Sequence, residues 1–161
     1  MPFCHVIWSI RHYPLPHEHS EEWLELRMLY RHAEQHLMHI GIDPSAQSGT
    51  DRHTQPMRLH TVARQTVVRE METQLGKDGC AGALQPRGLA ITDTQVQLLL
   101  PGSYLELRAG IDCLRACSQS ALRAAYPALD DTPIWSEGVW YAEMRASDFL
   151  FRLQRYLRRV V

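Results

Sequence analysis

Residues 88–100 read Gly-Leu-Ala-Ile-Thr-Asp-Thr-Gln-Val-Gln-Leu-Leu-Leu, which is typical of two short antiparallel strands joined by a polar turn. Side chains along a strand point alternately to its two faces. Gln95 and Gln97 therefore share one face of the second strand, and Val96 and Leu98 share the other. The stretch predicts a strand with an apolar face, on whose opposite face two glutamines stand next to each other.

The rest of the chain alternates between strand and helix patterns. Further strands are predicted at 3–11, 80–84 and 134–142, and helices at 20–40, 57–75, 104–126 and 147–159, with a polar loop over 42–56. This order favours an α+β fold, in which helices pack on one face of an antiparallel sheet. A length of 161 residues suits a single domain.

Charge and hydropathy exclude two classes of protein. The 17 basic and 18 acidic residues give a net charge of −1, so phosphate binding would require local clustering of arginines rather than a basic chain. No stretch reaches the ~18 apolar residues of a membrane span, and the first residues lack the pattern of a signal peptide. We therefore expect a cytoplasmic protein without a membrane partner.

Cysteines and histidines give only weak signals of a metal site. The four cysteines, Cys4, Cys80, Cys113 and Cys117, have no CxxC spacing and are interpreted as reduced thiols. Cys113 and Cys117 are one helical turn apart, and we interpret them as small buried residues. The remaining candidates are histidines with ligand-like spacing, interpreted as solvated side chains: His17, His19, His32, His36 and His39.

Several motifs follow one another in an order that resembles the single-tyrosine HUH transposases, especially their REP-associated tyrosine transposase branch. They are the turn and strand at 92–100, the helix Leu-Arg-Ala-Cys-Ser-Gln-Ser-Ala-Leu-Arg-Ala-Ala-Tyr-Pro at 114–127, the strand Ile-Trp-Ser-Glu-Gly-Val-Trp at 134–140, and Arg155-Tyr156-Leu157. His-Val-Ile-Trp at 5–8 is similar to the family's opening strand. The resemblance implies a ferredoxin-like, transposase-like domain over 1–161, with an expanded helical region at about 20–76.

The resemblance also implies a chemistry, which this chain departs from. In the family, two strand histidines and a polar residue four positions after a nucleophilic tyrosine hold Mg²⁺ or Mn²⁺. Here the corresponding residues are Gln95, Gln97 and Val160, and the tyrosine is Tyr156. Two amides and a valine supply no anionic or imidazole ligand, and even loss of outer-shell partners costs ~10–100-fold in metal affinity or activity. We therefore predict no metal cofactor, and a packed Tyr156 rather than a nucleophile.

The favoured hypothesis is a catalytically inactive transposase-like protein that binds hairpin or single-stranded DNA, or RNA. Its contacts would come from the glutamine face of the sheet, from arginines and from an aromatic side chain that stacks on bases. The predicted contact residues are Gln95, Gln97, Arg115, Trp140, Arg152, Arg155, Arg158 and Arg159.

Two alternatives remain open. The scaffold can serve as a structural or adaptor subunit of a larger nucleoprotein complex, which the near-neutral charge and the 20–76 region favour. Alternatively, it is an active single-strand nickase that uses Tyr156 with a displaced metal site, for example at His17, His19 or His60.

Overall fold

The computed structural model describes residues 2–16, 21–44, 58–129, 133–145 and 149–161. It contains five strands and four α-helices, with short 3₁₀ turns before and after the first helix. In chain order the elements are β1 (Pro2–Ser9), α1 (Leu24–His32), β2 (Leu37–Asp43), α2 (Thr61–Leu75), β3 (Gly88–Ile91), β4 (Gln95–Pro101), α3 (Tyr104–Ala125), β5 (Val139–Arg145) and α4 (Phe149–Val160).

The strands form one antiparallel sheet in the order β2-β5-β1-β4-β3. Strand β1 lies in the middle, and its register sets Ile7 opposite both Gln97 of β4 and Trp140 of β5. The hairpin predicted from residues 88–100 is present as β3 and β4, with Ala90 opposite Gln97. The predicted α+β fold with an antiparallel sheet is confirmed.

The packing of the helices differs from the prediction, because they cover both faces of the sheet rather than one. Val6, Trp8 and Leu98 point to one face, where α2 and α3 cover them. Ile7 and Leu99 point to the opposite face, where α1 and α4 pack. Both sides of the central strands are apolar, so each side requires its own layer of helices.

Two predicted elements are corrected. The helix predicted over 20–40 ends at His32, and Leu37–Asp43 forms β2 on the open edge of β5. The 20–76 region is therefore not purely helical. In β2 the backbone N–H and C=O groups bond to β5, and such pairing with a distant segment cannot be predicted from local helix propensity. Residues 80–83 form turns, and Leu84 is irregular, so no strand forms there. Of the predicted 42–56 loop, all but the first three positions lie outside the described residues.

The cysteines also differ from the prediction. Cys80 and Cys113 are joined as a disulfide whose Cα atoms are 6.3 Å apart, whereas Cys4 and Cys117 are free. The interpretation of all four as reduced thiols is therefore corrected for this pair. The two cysteines are 33 residues apart in sequence and come close only because α2 packs against α3, so the sequence does not predict the bond.

Across the part of the chain that the structure describes, no helix combines the length and the apolar character needed to cross a lipid bilayer.

Candidate functional site

A line of four buried polar side chains crosses the face of the sheet that α1 and α4 cover. The hydroxyl oxygen of Tyr30 on α1 lies 2.7 Å from His5 Nδ1, and His5 Nε2 lies 2.8 Å from Gln97 Oε1. Gln97 Nε2 in turn donates to the hydroxyl of Tyr156 on α4, at 3.4 Å. We call these four residues the buried relay.

Strand register and helix packing bring the buried relay together. His5 lies opposite Leu99 and Ile7 lies opposite Gln97, so His5 and Gln97 are diagonal neighbours on one face. Tyr30 and Tyr156 are the inward-facing tyrosines of the two helices above this face. Trp140 closes the cluster, because its ring stands edge-on to the rings of His5 and Tyr30 at 5.7 and 5.6 Å.

The hydrogen bonds of the buried relay run in one direction. Because Gln97 Oε1 can only accept, the hydrogen of the His5 imidazole lies on Nε2. His5 Nδ1 then accepts from the hydroxyl of Tyr30. The amide nitrogen of Gln97 donates to Tyr156. A neutral histidine therefore satisfies every one of these contacts, whereas in a protonated one both ring nitrogens donate and the Tyr30 hydroxyl would have to accept instead.

Burial keeps all members of the buried relay neutral. It lowers the pKa of His5 to about 4, an effect that the hydrogen bond from His5 to Gln97 opposes only in part. It raises the pKa of Tyr30 well above its ordinary value. Burial also raises the pKa of Tyr156, against a smaller lowering by the Gln97 hydrogen bond. A tyrosine nucleophile requires phenolate character, and this environment disfavours the phenolate.

The residues at the family's metal-ligand positions do not fit Mg²⁺ or Mn²⁺. Gln97 Oε1 is engaged by His5, and Val160 has no donor atom and is partly buried against the apolar core. Gln95 Oε1 is buried without a hydrogen-bond partner, but a single neutral amide oxygen falls far short of six oxygen ligands. The alternative ligand His60 caps α2, where its Nδ1 accepts from the backbone N–H of Ala63. His17 and His19 lie outside the described residues.

Three predicted nucleic-acid contacts are corrected by their burial. Gln97 is fully enclosed within the buried relay, and Trp140 is 4% exposed beside it. Arg115 is 5% exposed and donates to the backbone carbonyl of Ser136, which ties α3 to the residues before β5. These side chains have no free surface to offer to a phosphate or a base. Gln95 remains half-buried at the start of β4.

The other predicted contacts lie together on the outer side of α4. Arg152, Arg155, Arg158 and Arg159 are exposed there, and Arg159 pairs with Glu25 of α1 at 2.5 Å. Phe151, which the sequence analysis missed, is 68% exposed on the same side. The helical spacing could have identified Phe151, because Arg155 and Arg158 follow it by four and seven residues and therefore share its side of the helix. We call Phe151 and the four arginines the basic face of α4.

A cleft of about 380 Å³ adjoins the basic face of α4. Arg87, Leu89 and Gln154 line it together with Leu157 and Arg158. The side chain of Gln154 donates to the backbone carbonyl of Arg87 at 2.7 Å, which fastens the residue before β3 to α4. Arg87 is a second residue that the sequence did not single out, because only the packing of α4 on β3 brings it near Arg158.

Comparison with known proteins leaves the geometry as the basis for function, since no family model, no curated protein and no solved structure matches this chain.

Proposed function

We propose that this protein binds single-stranded or hairpin nucleic acid through the basic face of α4 and the adjoining cleft, and that it does not cleave it. The observation that carries the proposal is the local charge. Four arginines and no acidic residue occur in Phe149–Val160, although the whole chain has a net charge of −1. Such clustering on one exposed face is the electrostatic pattern expected for phosphate contacts.

The exposed aromatic side chain at the N-terminal end of this face supports a single-stranded ligand. Phe151 is 68% exposed, although burial of its ring elsewhere would be favourable. Unpaired bases stack on such rings, and each stack contributes ~1–3 kcal/mol. Arginines beside the ring can contact the neighbouring phosphates. Duplex DNA offers no free base face to Phe151, so hairpin loops and single strands are the preferred ligands.

The cleft supports recognition of a phosphate. Two guanidinium groups, those of Arg87 and Arg158, line it together with the side chain of Gln154. Guanidinium groups form paired hydrogen bonds with phosphate oxygens. Because Arg87 precedes β3 and Arg158 lies in the last turn of α4, a bound strand would cross from the basic face of α4 onto the edge of the sheet.

The buried relay supports the absence of cleavage. Tyr156 faces the core, is 3% exposed, and its hydroxyl accepts a hydrogen bond from Gln97. Its raised pKa disfavours the nucleophilic form. The resemblance to single-tyrosine HUH transposases adds a reason for nucleic-acid binding, and the replacement of the metal ligands by Gln95, Gln97 and Val160 adds a reason for catalytic silence.

Binding is tested by fluorescence anisotropy with labelled hairpin, single-stranded and duplex DNA. We expect the hairpin and the single strand to bind, and Phe151→Ala to weaken binding by about tenfold, from the loss of one stack. Arg69→Ala is the matched control, because Arg69 is exposed on α2, across the sheet from α4. Absence of binding at low salt, or equal effects of the Phe151 and Arg69 substitutions, would contradict the proposal.

Cleavage is tested separately with the same labelled hairpin in the presence of Mn²⁺. We expect neither a shortened product nor a covalent protein–DNA adduct from the wild-type chain. The alternative of an active nickase predicts both, and predicts their loss in Tyr156→Phe. A Tyr156-dependent adduct would overturn the proposed catalytic silence while leaving the binding proposal intact.

A further inference from the structure

Three of the four cysteines meet at one place on the outer side of the α2–α3 layer, away from the basic face of α4. Cys80 lies in the turns after α2, and Cys113 and Cys117 are one turn apart on α3. The three Sγ atoms all lie within 4.8 Å of one another. Cys117 Sγ is 3.9 Å from both of the other sulfur atoms.

The turns that carry Cys80 are tightly built. The side chain of Gln74 accepts from the backbone N–H of Cys80 at 3.1 Å, and the carbonyl of Gln74 accepts from Ala81 at 3.0 Å. The backbone of Gln74 also leaves no room for a side chain at Gly79. Cys80 is therefore held over α3 by the end of α2, so that the sulfur cluster is pre-organised rather than formed by a free loop.

Two of the three separations between the sulfur atoms suit a thiolate-bound metal ion, and the third pair, Cys80 and Cys113, moves apart when its disulfide is reduced. Zn–S bonds of about 2.3 Å in a tetrahedral arrangement place neighbouring sulfur atoms about 3.8 Å apart. The separations of 3.9 Å from Cys117 match this value. The site is accessible, since Cys80 is exposed and the other two cysteines are half-buried. Thiolates select soft ions such as Zn²⁺ over Mg²⁺ or Ca²⁺.

We propose that Cys80, Cys113 and Cys117 form a redox-controlled zinc site. The disulfide between Cys80 and Cys113 excludes the metal. Two molecules of a small thiol reduce it, giving two protein thiols and the disulfide of the small thiol. Zn²⁺ then displaces three protons from the three thiols, and water takes the fourth position. In the reverse reaction, a small-molecule disulfide oxidises Cys80 and Cys113 back to their disulfide, two molecules of the small thiol form, and the ion is released.

This site is independent of the proposed nucleic-acid binding, and it is tested with Zn²⁺ as the only added ligand. The full chain is reduced, freed of reductant and titrated with Zn²⁺ against a chromogenic chelator, and the stoichiometry is read by native mass spectrometry. We expect one Zn²⁺ per reduced chain, and its loss when a small-molecule disulfide is added. Co²⁺ in place of Zn²⁺ is expected to give a sulfur-to-metal charge-transfer band in the near ultraviolet.

Variants assign the ligands. Cys117→Ser and Cys80→Ser are each expected to weaken Zn²⁺ binding by more than ~10-fold, since loss of outer partners alone reaches that size. Cys4→Ala is the matched control, because Cys4 is buried in β1 and free. Unchanged Zn²⁺ affinity in Cys117→Ser or Cys80→Ser would overturn the assignment and point to the histidines. Absence of Zn²⁺ uptake by the reduced wild-type chain would overturn the proposal without reliance on any variant.

Discussion

At the scale of single residues, Gln95 and Gln97 have different environments although they share one face of β4. Gln97 uses both atoms of its amide, toward His5 and toward Tyr156. The side-chain oxygen of Gln95 is buried without a partner. The alternation of the strand predicts their shared direction, but the sequence does not tell which of the two is enclosed by helices.

Gln97→Leu is expected to destabilise the protein by about 2 kcal/mol, because it leaves the Nε2–H of His5 and the hydroxyl of Tyr156 without their buried partner. Gln95→Leu is the matched control and is expected to change the free energy of unfolding by less than about 0.5 kcal/mol. Urea denaturation measures both. Equal effects of the two substitutions would show that the buried relay does not stabilise the fold.

The buried imidazole predicts a loss of stability in acid. Burial lowers the pKa of His5 to about 4 in the folded protein, below the ~6.5 of an unfolded chain. As the pH falls from about 6.5 to about 4, the unfolded chain gains a proton that the folded protein does not, so the free energy of unfolding falls by about 3 kcal/mol in all. Below pH 4 both states carry the proton and this contribution no longer changes.

His5→Gln separates this effect from the titration of carboxylates. Urea denaturation at several pH values gives the unfolding free energy of the wild-type chain minus that of His5→Gln. This difference is expected to fall as the pH is lowered from 6.5 to 4, because only the wild-type chain loses the contribution of His5. A difference that stays constant over this range would show that His5 is not held neutral.

At the scale of elements, α3 illustrates a helix whose cap comes from elsewhere in the fold. The preceding residue, Ser103, makes no side-chain hydrogen bond to the helix. Instead, Glu143 of β5 accepts from the backbone N–H of Tyr104 at 2.8 Å. A carboxylate at this end also interacts favourably with the helix dipole. A serine before a helix predicts a local cap, and here tertiary packing replaces it.

Glu143→Ala is therefore expected to cost about 1 kcal/mol of stability, the usual size of a lost helix cap. Ser103→Ala is expected to cost less than about 0.5 kcal/mol, because its hydroxyl does not cap the helix. Thermal unfolding followed by circular dichroism distinguishes the two. A larger effect of Ser103→Ala would mean that the local cap forms after all.

At the scale of the whole molecule, positive charge is concentrated although the chain is nearly neutral. The basic face of α4 lies on one side of the sheet, and the α2–α3 layer with the cysteine cluster lies on the other. The proposed attraction of nucleic acid by the basic face of α4 therefore acts on one side of the sheet. Its strength should depend on the number of arginines that replace counterions there.

Log affinity for single-stranded DNA falls linearly with log salt concentration. The double variant Arg155→Ala, Arg158→Ala is expected to make this fall less steep, lowering the magnitude of the slope by about 1.4, or about 0.7 for each lost phosphate contact. The Arg69→Ala control is expected to leave the slope unchanged. Anisotropy titrations at several salt concentrations provide the slopes. An unchanged slope in the double variant would place the binding surface elsewhere.

The sequence by itself determined the local patterns: the hairpin of β3 and β4, α3, and the division of α4 into an apolar and a basic side. These follow from side-chain periodicity, which acts over a few residues. Only the tertiary structure decided that Leu37–Asp43 is a strand, that both faces of the sheet are covered, and that Gln97 is enclosed. It also decided that Cys80 meets Cys113 and Cys117. Those features depend on contacts between segments far apart in the chain, where the energy of packing and strand pairing outweighs local propensity.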